Sequence, residues 1–209
     1  MINIPSLLRC AELKALSSVT LNGKVLDLGG VKDSSYLHAI KGNFSVTTVN
    51  TDKKTNPDII HNLELILPVG EGTYDHVILI NVIEHIFEYR SLLKESFRVL
   101  RKNGSAIIIA PFIFPLHPSP GDYHRFSGTA LNLELKKAGF EIESLIPLGT
   151  GIFSVVYLFI DRLMPKFLRF FNYYIFRYMV YTLDKILHKT ASMLGKKYSP
   201  EDYAFGFCV

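Results

Sequence analysis

The run KVLDLGG, residues 24–30, sets a short strand of β-branched and leucine residues directly against two glycines. Glycines at a strand end let the backbone turn sharply and approach a ligand closely, and a helix that follows offers free N–H groups. A dinucleotide fingerprint would need G-x-G-x-x-G at this turn, and Gly29-Gly30-Val31-Lys32-Asp33 does not supply it. Asp27 discriminates further: a carboxylate at the end of this strand repels a pyrophosphate and suits a ligand carrying an ammonium or sulfonium group.

Outward from this turn, strand-like and helix-like runs alternate, the pattern of a mostly parallel sheet covered by helices. Strands are expected at Lys24–Leu28, Phe44–Asn50, His76–Asn81, Ser105–Ala110 and Phe140–Ile146, with a short one near Asp58–His61. Helical spacing of Leu92, Leu93, Phe97 and Leu100 predicts a helix over Glu88–Arg101, with Asn103-Gly104 as its stop. Ser127 starts another helix, which Gly139 ends, and Pro5–Val19 reads as a leading helix outside the sheet.

The 209 residues suffice for one such domain over residues 1–209, with an N-terminal helix in 1–20. Hydrophobic residues make up 48% and charged residues 20%, which argues against disorder. Cys10 and Cys208 offer neither a disulfide framework nor a thiolate zinc site, so a reducing, cytoplasmic compartment is expected. Arg9, Glu12 and Lys14 break the apolar run a leader peptide needs, and Pro147, Gly149 and Gly151 break the longest uncharged stretch. The net charge of +4 is mild and no recognition module is visible, so no nucleic-acid partner is expected.

VLDLGG, YDHVILINVIEHI and LLKESFRVLRKNGSAIIIAPF together resemble the class I S-adenosylmethionine-dependent methyltransferases (type 11-like). The run HPSPGDYHRFSGTALNLELKKAGFEI is similar to a subgroup with a His-Pro, Asp-Tyr and Arg-Phe loop. The resemblance implies a Rossmann-like α/β fold: a seven-stranded, mostly parallel sheet with one antiparallel strand, here 203–209, and helices on both faces. It also implies S-adenosylmethionine as cofactor, with Asp27, Gly29 and Gly30 at its methionine end and Asn81 facing it from a neighbouring strand. Where the family has an acid for the ribose hydroxyls, Asn50 stands, with Asp52 two residues on. Where an acid meets the adenine amino group, Asn62 stands before Leu63. An amide lacks charge assistance and a second equivalent oxygen, so weakened cofactor binding is expected.

The loop 111–125 follows a strand's carboxyl end, where ligands bind in such folds. Alignment of donor and acceptor accelerates methyl transfer, and a histidine of near-neutral pKa can take a hydroxyl proton. His124 and His117 are the candidates, His124 ahead because Asp122 or Arg125 could orient it. Tyr123, Arg125 and His85 are candidate acceptor contacts. No H-E-x-x-H-like spacing is present, so no metal is expected.

Residues 151–198 form a helical aromatic and basic insertion before the last strand, with eleven Phe or Tyr between Gly151 and Tyr181. Phe159, Leu163, Phe167, Phe170 and Phe171 approximate a helical stripe, with Arg162, Lys166 and Arg169 near its edge. Three readings stand: core packing over the site, a homodimer contact, or a peripheral contact with the inner membrane surface through 152–181. The expected reaction is O-methylation of a small or lipid-linked, glycan-type acceptor. The alternative is a degenerate cofactor fold without catalysis, acting as a membrane-surface or partner-binding module.

Overall fold

The computed structural model describes residues 5–149, 151–164 and 176–209. The chain order is α1 (Leu7–Leu16), β1 (Thr20–Leu28), α2 (Ser35–Ala39), β2 (Lys41–Asn50), β3 (Ile59–Ile60), β4 (Tyr74–Ile80) and α3 (Tyr89–Val99). It continues with β5 (Leu100–Pro111), α4 (Gly128–Ala138), β6 (Ile146–Leu148), α5 (Ile152–Leu163), α6 (Arg177–Met193) and β7 (Gly206–Cys208). The strands form one seven-stranded sheet in the order β3-β2-β1-β4-β5-β7-β6. β7 runs antiparallel between β5 and β6, and the other pairings are parallel.

The pleat explains the two cores. In β4, Val77 and Leu79 point to one face and Ile78 and Ile80 to the other, all buried because helices cover both sides. Leu92 and Leu93 of α3 with Leu131 and Leu135 of α4 fill the first face. Leu8 and Leu16 of α1, Tyr36 of α2 and Leu158 of α5 fill the second. The leading helix is therefore part of a packed layer.

Several boundaries depart from expectation: β1, β2 and β5 begin earlier, at Thr20, Lys41 and Leu100, and the last strand is Gly206–Cys208. β6 covers 146–148 instead of 140–146, because the Phe140 N–H closes the end of α4 on the Leu135 carbonyl and β7 offers only three residues to pair with. α3 stops at Val99, and Asn103-Gly104 lies within β5, where the register against β4 jumps from Tyr74↔Leu100 to His76↔Ser105. Asn103 takes φ +64°, and a Cβ on Gly104 would fall 2.9 Å from the Arg101 and Asp75 carbonyl oxygens.

The insertion is tied together by one buried carboxylate. Asp184 of α6 accepts from the Phe153 and Ser154 N–H groups at 2.8 and 3.1 Å, so one helix caps the other's amino end. Arg177 of α6 also donates to the Ser6 carbonyl beside α1. The expected stripe residues Phe167, Phe170 and Phe171, with Lys166 and Arg169, lie outside the described residues.

Candidate active site

The chemistry-bearing residues gather where β1, β4 and β5 end. β1 delivers Asp27, which is fully buried, and the Tyr36 hydroxyl from α2 donates to its Oδ2 at 2.7 Å. Burial pushes the Asp27 carboxyl up to about 7, and only the Tyr36 bond works against that. Its Oδ1 has no hydrogen-bond partner among the described residues. Gly29 turns the chain at φ +79°, and a Cβ on Gly30 would lie 2.0 Å from the Asp27 carboxylate, so the turn closes over that acid.

Asn50, at the end of β2, does something a carboxylate could not. Its Nδ2 donates to the Gly29 and Gly30 carbonyls at 2.9 and 3.1 Å, and its Oδ1 accepts from the Asp52 N–H. The amide at this position thus braces the glycine turn. Asp52 is exposed and caps the short helical turn Lys53–Thr55 through the Lys54 N–H. Asn62 is exposed and accepts from the Glu64 N–H, while Leu63 is buried in the core. Neither Asp52 nor Asn62 meets Asp27 or Gly29 through a hydrogen bond.

Asn81 follows β4 at φ +54°. Its Nδ2 donates to Glu12 of α1 at 2.7 Å, and its Oδ1 is a second buried acceptor with no partner among the described residues. Glu12, fully buried, also pairs with Arg9 at 2.9 Å, and burial raises its pKa. Arg9 lies over the Tyr36 ring at 5.7 Å. Arg9, Glu12 and Tyr36 are residues of this site that lie outside the sequence motifs. The signal was present: Leu8, Glu12 and Leu16 share the buried stripe of α1, and an acid among leucines at that spacing marks a polar function.

The loop 112–126 is stitched over the next turn, Ile83–His85. The Tyr123 and His124 N–H groups donate to the Glu84 carbonyl at 2.8 and 3.3 Å, and His85 Nδ1 meets the Gly121 carbonyl at 2.6 Å. Arg125 grips both Asp122 carboxylate oxygens and donates to the Phe114, Pro115 and His124 carbonyls. Arg125 thereby holds Asp122 well below the usual carboxylate range. Asp122 accepts from the His117 N–H at 2.8 Å and lies 3.3 Å from its Nδ1.

The orienting partners expected for His124 serve His117 instead. His124 reaches the Phe87 carbonyl through Nε2 at 3.1 Å and packs edge-on to Tyr89, so its ring is held by neighbours of α3. Arg125 touches only its backbone. His117 faces Glu84, with Nε2 3.7 Å from Oε1, and that carboxylate raises the His117 pKa against the opposing effect of burial. Tyr123 is exposed and stacks edge-on with Phe87. A cleft of about 1140 Å³ opens at the opposite end of the sheet, lined by Lys94, Arg98, Arg101 and Glu71 and by none of these residues.

Residues 29–108, the glycine turn through β5, match the family model described as a methyltransferase domain. Over that stretch, well under half of the chain, the sequence is similar to a methyltransferase domain. Over 100 residues the chain is 30% identical to a protein of Mycolicibacterium smegmatis named a probable S-adenosylmethionine-dependent methyltransferase. That alignment covers 45% of this chain and 39% of the relative, so the matched region is about two fifths of the relative's length. Among solved structures, a chain of the Haloferax volcanii complex between the Trm112 methyltransferase activator and a methyltransferase superposes with a TM-score of 0.56 at 16% identity, covering 66% of this chain and 71% of that one. The Burkholderia thailandensis 1,6-didemethyltoxoflavin-N1-methyltransferase, crystallised with 1,6-didemethyltoxoflavin and S-adenosylhomocysteine, gives 0.50 at 17%, covering 68% and 71%. At such identities the likeness is one of fold, and the motif residues of this chain lie at the sheet edge where such folds place ligands.

S-adenosylmethionine is the cofactor of that family. The donor and acceptor balance at this sheet edge suits the amino-acid end of such a molecule. Asp27 Oδ1 and Asn81 Oδ1 are buried acceptors at the ends of neighbouring strands, and an ammonium group supplies the donors they lack.

Proposed function

We propose that the protein transfers a methyl group from S-adenosylmethionine to an oxygen of a small or lipid-linked, glycan-type acceptor. The observation that carries this reading is the pair of unpartnered acceptors beside a glycine turn inside a methyltransferase domain. Asp27 and Asn81 would hold the ammonium group, with Gly29 and Gly30 giving the backbone close approach. When bound, the cofactor supplies a methyl group activated on sulfonium sulfur. His117 is positioned to take the acceptor's proton at Nε2, because its Nδ1 is engaged by the Pro115 carbonyl at 3.1 Å. Glu84 stabilises the imidazolium that results, and Asp122 with Arg125 fixes the loop that carries the base.

Several features favour a lipid-linked acceptor at a membrane surface. Phe153, Val156, Phe159, Ile160 and Leu163 of α5 are exposed, as are Tyr178 and Met179 of α6. No described helix is long and apolar enough to cross a membrane, so contact would be peripheral. A second reading, a fold that binds no cofactor, has its own observation: Tyr36 already occupies Asp27 Oδ2, and Asn50 is committed to the turn.

Thermal unfolding with and without S-adenosylmethionine or S-adenosylhomocysteine separates the two. Ligand at 100 times its Kd adds about 2.7 kcal/mol of stability. A saturable shift that Asp27→Ala abolishes supports the cofactor site. No shift at millimolar ligand supports the non-catalytic fold.

A further inference from the structure

We propose that Glu84, His85 and His117 form a binding site for one divalent ion of the zinc class. Glu84 is fully buried, and neither carboxylate oxygen accepts a hydrogen bond among the described residues. His85 Nε2 and His117 Nε2 both lie 3.7 Å from its Oε1, and the three ligand atoms are all within 4.8 Å of one another. A separation of 3.7 Å is too long for an N–H···O bond. It is close to the ligand-to-ligand edge, about 3.4 Å, of a tetrahedron built on metal bonds of about 2.1 Å.

The outer contacts fit the same reading. His85 Nδ1 meets the Gly121 carbonyl at 2.6 Å, and His117 Nδ1 meets the Pro115 carbonyl at 3.1 Å. A carbonyl accepts only, so both Nδ1 atoms carry the proton and both Nε2 lone pairs turn toward Glu84. Metal-binding histidines are oriented by this kind of backbone partner. The nearby cations are engaged elsewhere: Arg125 grips Asp122, and Arg9 pairs with Glu12. Two imidazoles and one carboxylate suit zinc, cobalt(II) or iron(II) over magnesium or calcium, which favour all-oxygen shells. Adjacent residues 84 and 85 joined by a histidine 32 positions later follow no sequence pattern for a metal, which is why the spacing of acids and histidines predicted none.

Three protein ligands leave a coordination position open, as in catalytic zinc sites. With the ion bound, His117 Nε2 is a ligand and no longer the proton acceptor, and an acceptor oxygen on the open position would instead lose its proton to solvent at neutral pH. That role rests on the methyltransferase reading; the binding of the ion does not.

The test uses the full-length protein stripped with chelator and titrated with Zn²⁺ by calorimetry and with Co²⁺ by visible absorption. One equivalent should bind, with Co²⁺ bands of a low-coordinate nitrogen and oxygen site. His85→Ala and His117→Ala should each weaken binding by at least about tenfold, and His38→Ala, an exposed histidine elsewhere, should not. No binding, or binding unchanged in His85→Ala and His117→Ala, overturns the site. S-adenosylmethionine titrated into the same samples reads the cofactor site separately, so failure of one proposal is distinguishable from failure of the other.

Discussion

Asp27 and Asn50 show how single side chains trade stability against readiness for a ligand. The Asp27 carboxyl titrates at about 7 in the folded chain, against about 3.9 in an unfolded one. Between those values the folded state holds more protons, so stability falls as pH rises from about 4 to 7, with a slope approaching 1.4 kcal/mol per pH unit. Asp27→Asn should flatten that profile and stabilise the unliganded protein by about 2 kcal/mol at pH 8 while removing affinity for S-adenosylmethionine. Denaturant melts at pH 5 and pH 8 read the first effect and calorimetry the second. Wild-type affinity should rise from pH 6 to pH 8, because an ammonium group binds the ionised acid. Asn50 makes the opposite point. Asn50→Asp, which places there the acid that the resemblance implies, should cost about 2 kcal/mol, since a carboxylate would face the Gly29 and Gly30 carbonyls and lose both donated bonds. A gain in cofactor affinity from that variant would refute the bracing role.

At the scale of elements, the glycine turn and the loop after β5 could be read from the sequence, and their fastenings could not. VLDLGG announced the strand, the turn and the acid because local chemistry sets all three. The pairing of Asp122 with Arg125 and His117 depends on how the loop crosses the turn at Glu84, a long-range matter that spacing does not encode. For the same reason His124 was placed ahead of His117, and the bond from Asn81 to Glu12 of α1, 69 positions apart, left no trace in spacing. Asp122→Asn should release the loop: hydrogen exchange across 115–125 should accelerate, stability should drop by about 2 kcal/mol, and turnover should fall more than cofactor affinity. Equal loss of turnover and affinity would assign the loop to cofactor binding.

For the whole molecule, the alternation of strand-like and helix-like runs implied a mostly parallel sheet and the family resemblance implied seven strands with one antiparallel, whereas partners of the outer surface leave no such trace. α5 and the start of α6 leave aromatic and aliphatic side chains exposed on the outside of the protein, Leu163 at 85%. If that face meets lipid, the protein should float with anionic vesicles, and Phe159→Asp with Leu163→Asp should keep it in the soluble fraction at unchanged fold. Concentration-dependent mass without vesicle binding would assign the face to a second copy of the chain.

The position of β7 between β5 and β6 bears on how the protein is made. β5 buries Ile107, Ile108 and Ile109, and the strand that covers its outer edge is residues 206–208. A ribosome must deliver both insertion helices before that edge is closed. Through that interval the nascent chain presents an unpaired, isoleucine-rich strand, the kind of surface that recruits holdase chaperones and seeds aggregation when they are scarce. Slow translation across the insertion should therefore lower the yield of soluble protein more than slow translation of the first hundred residues.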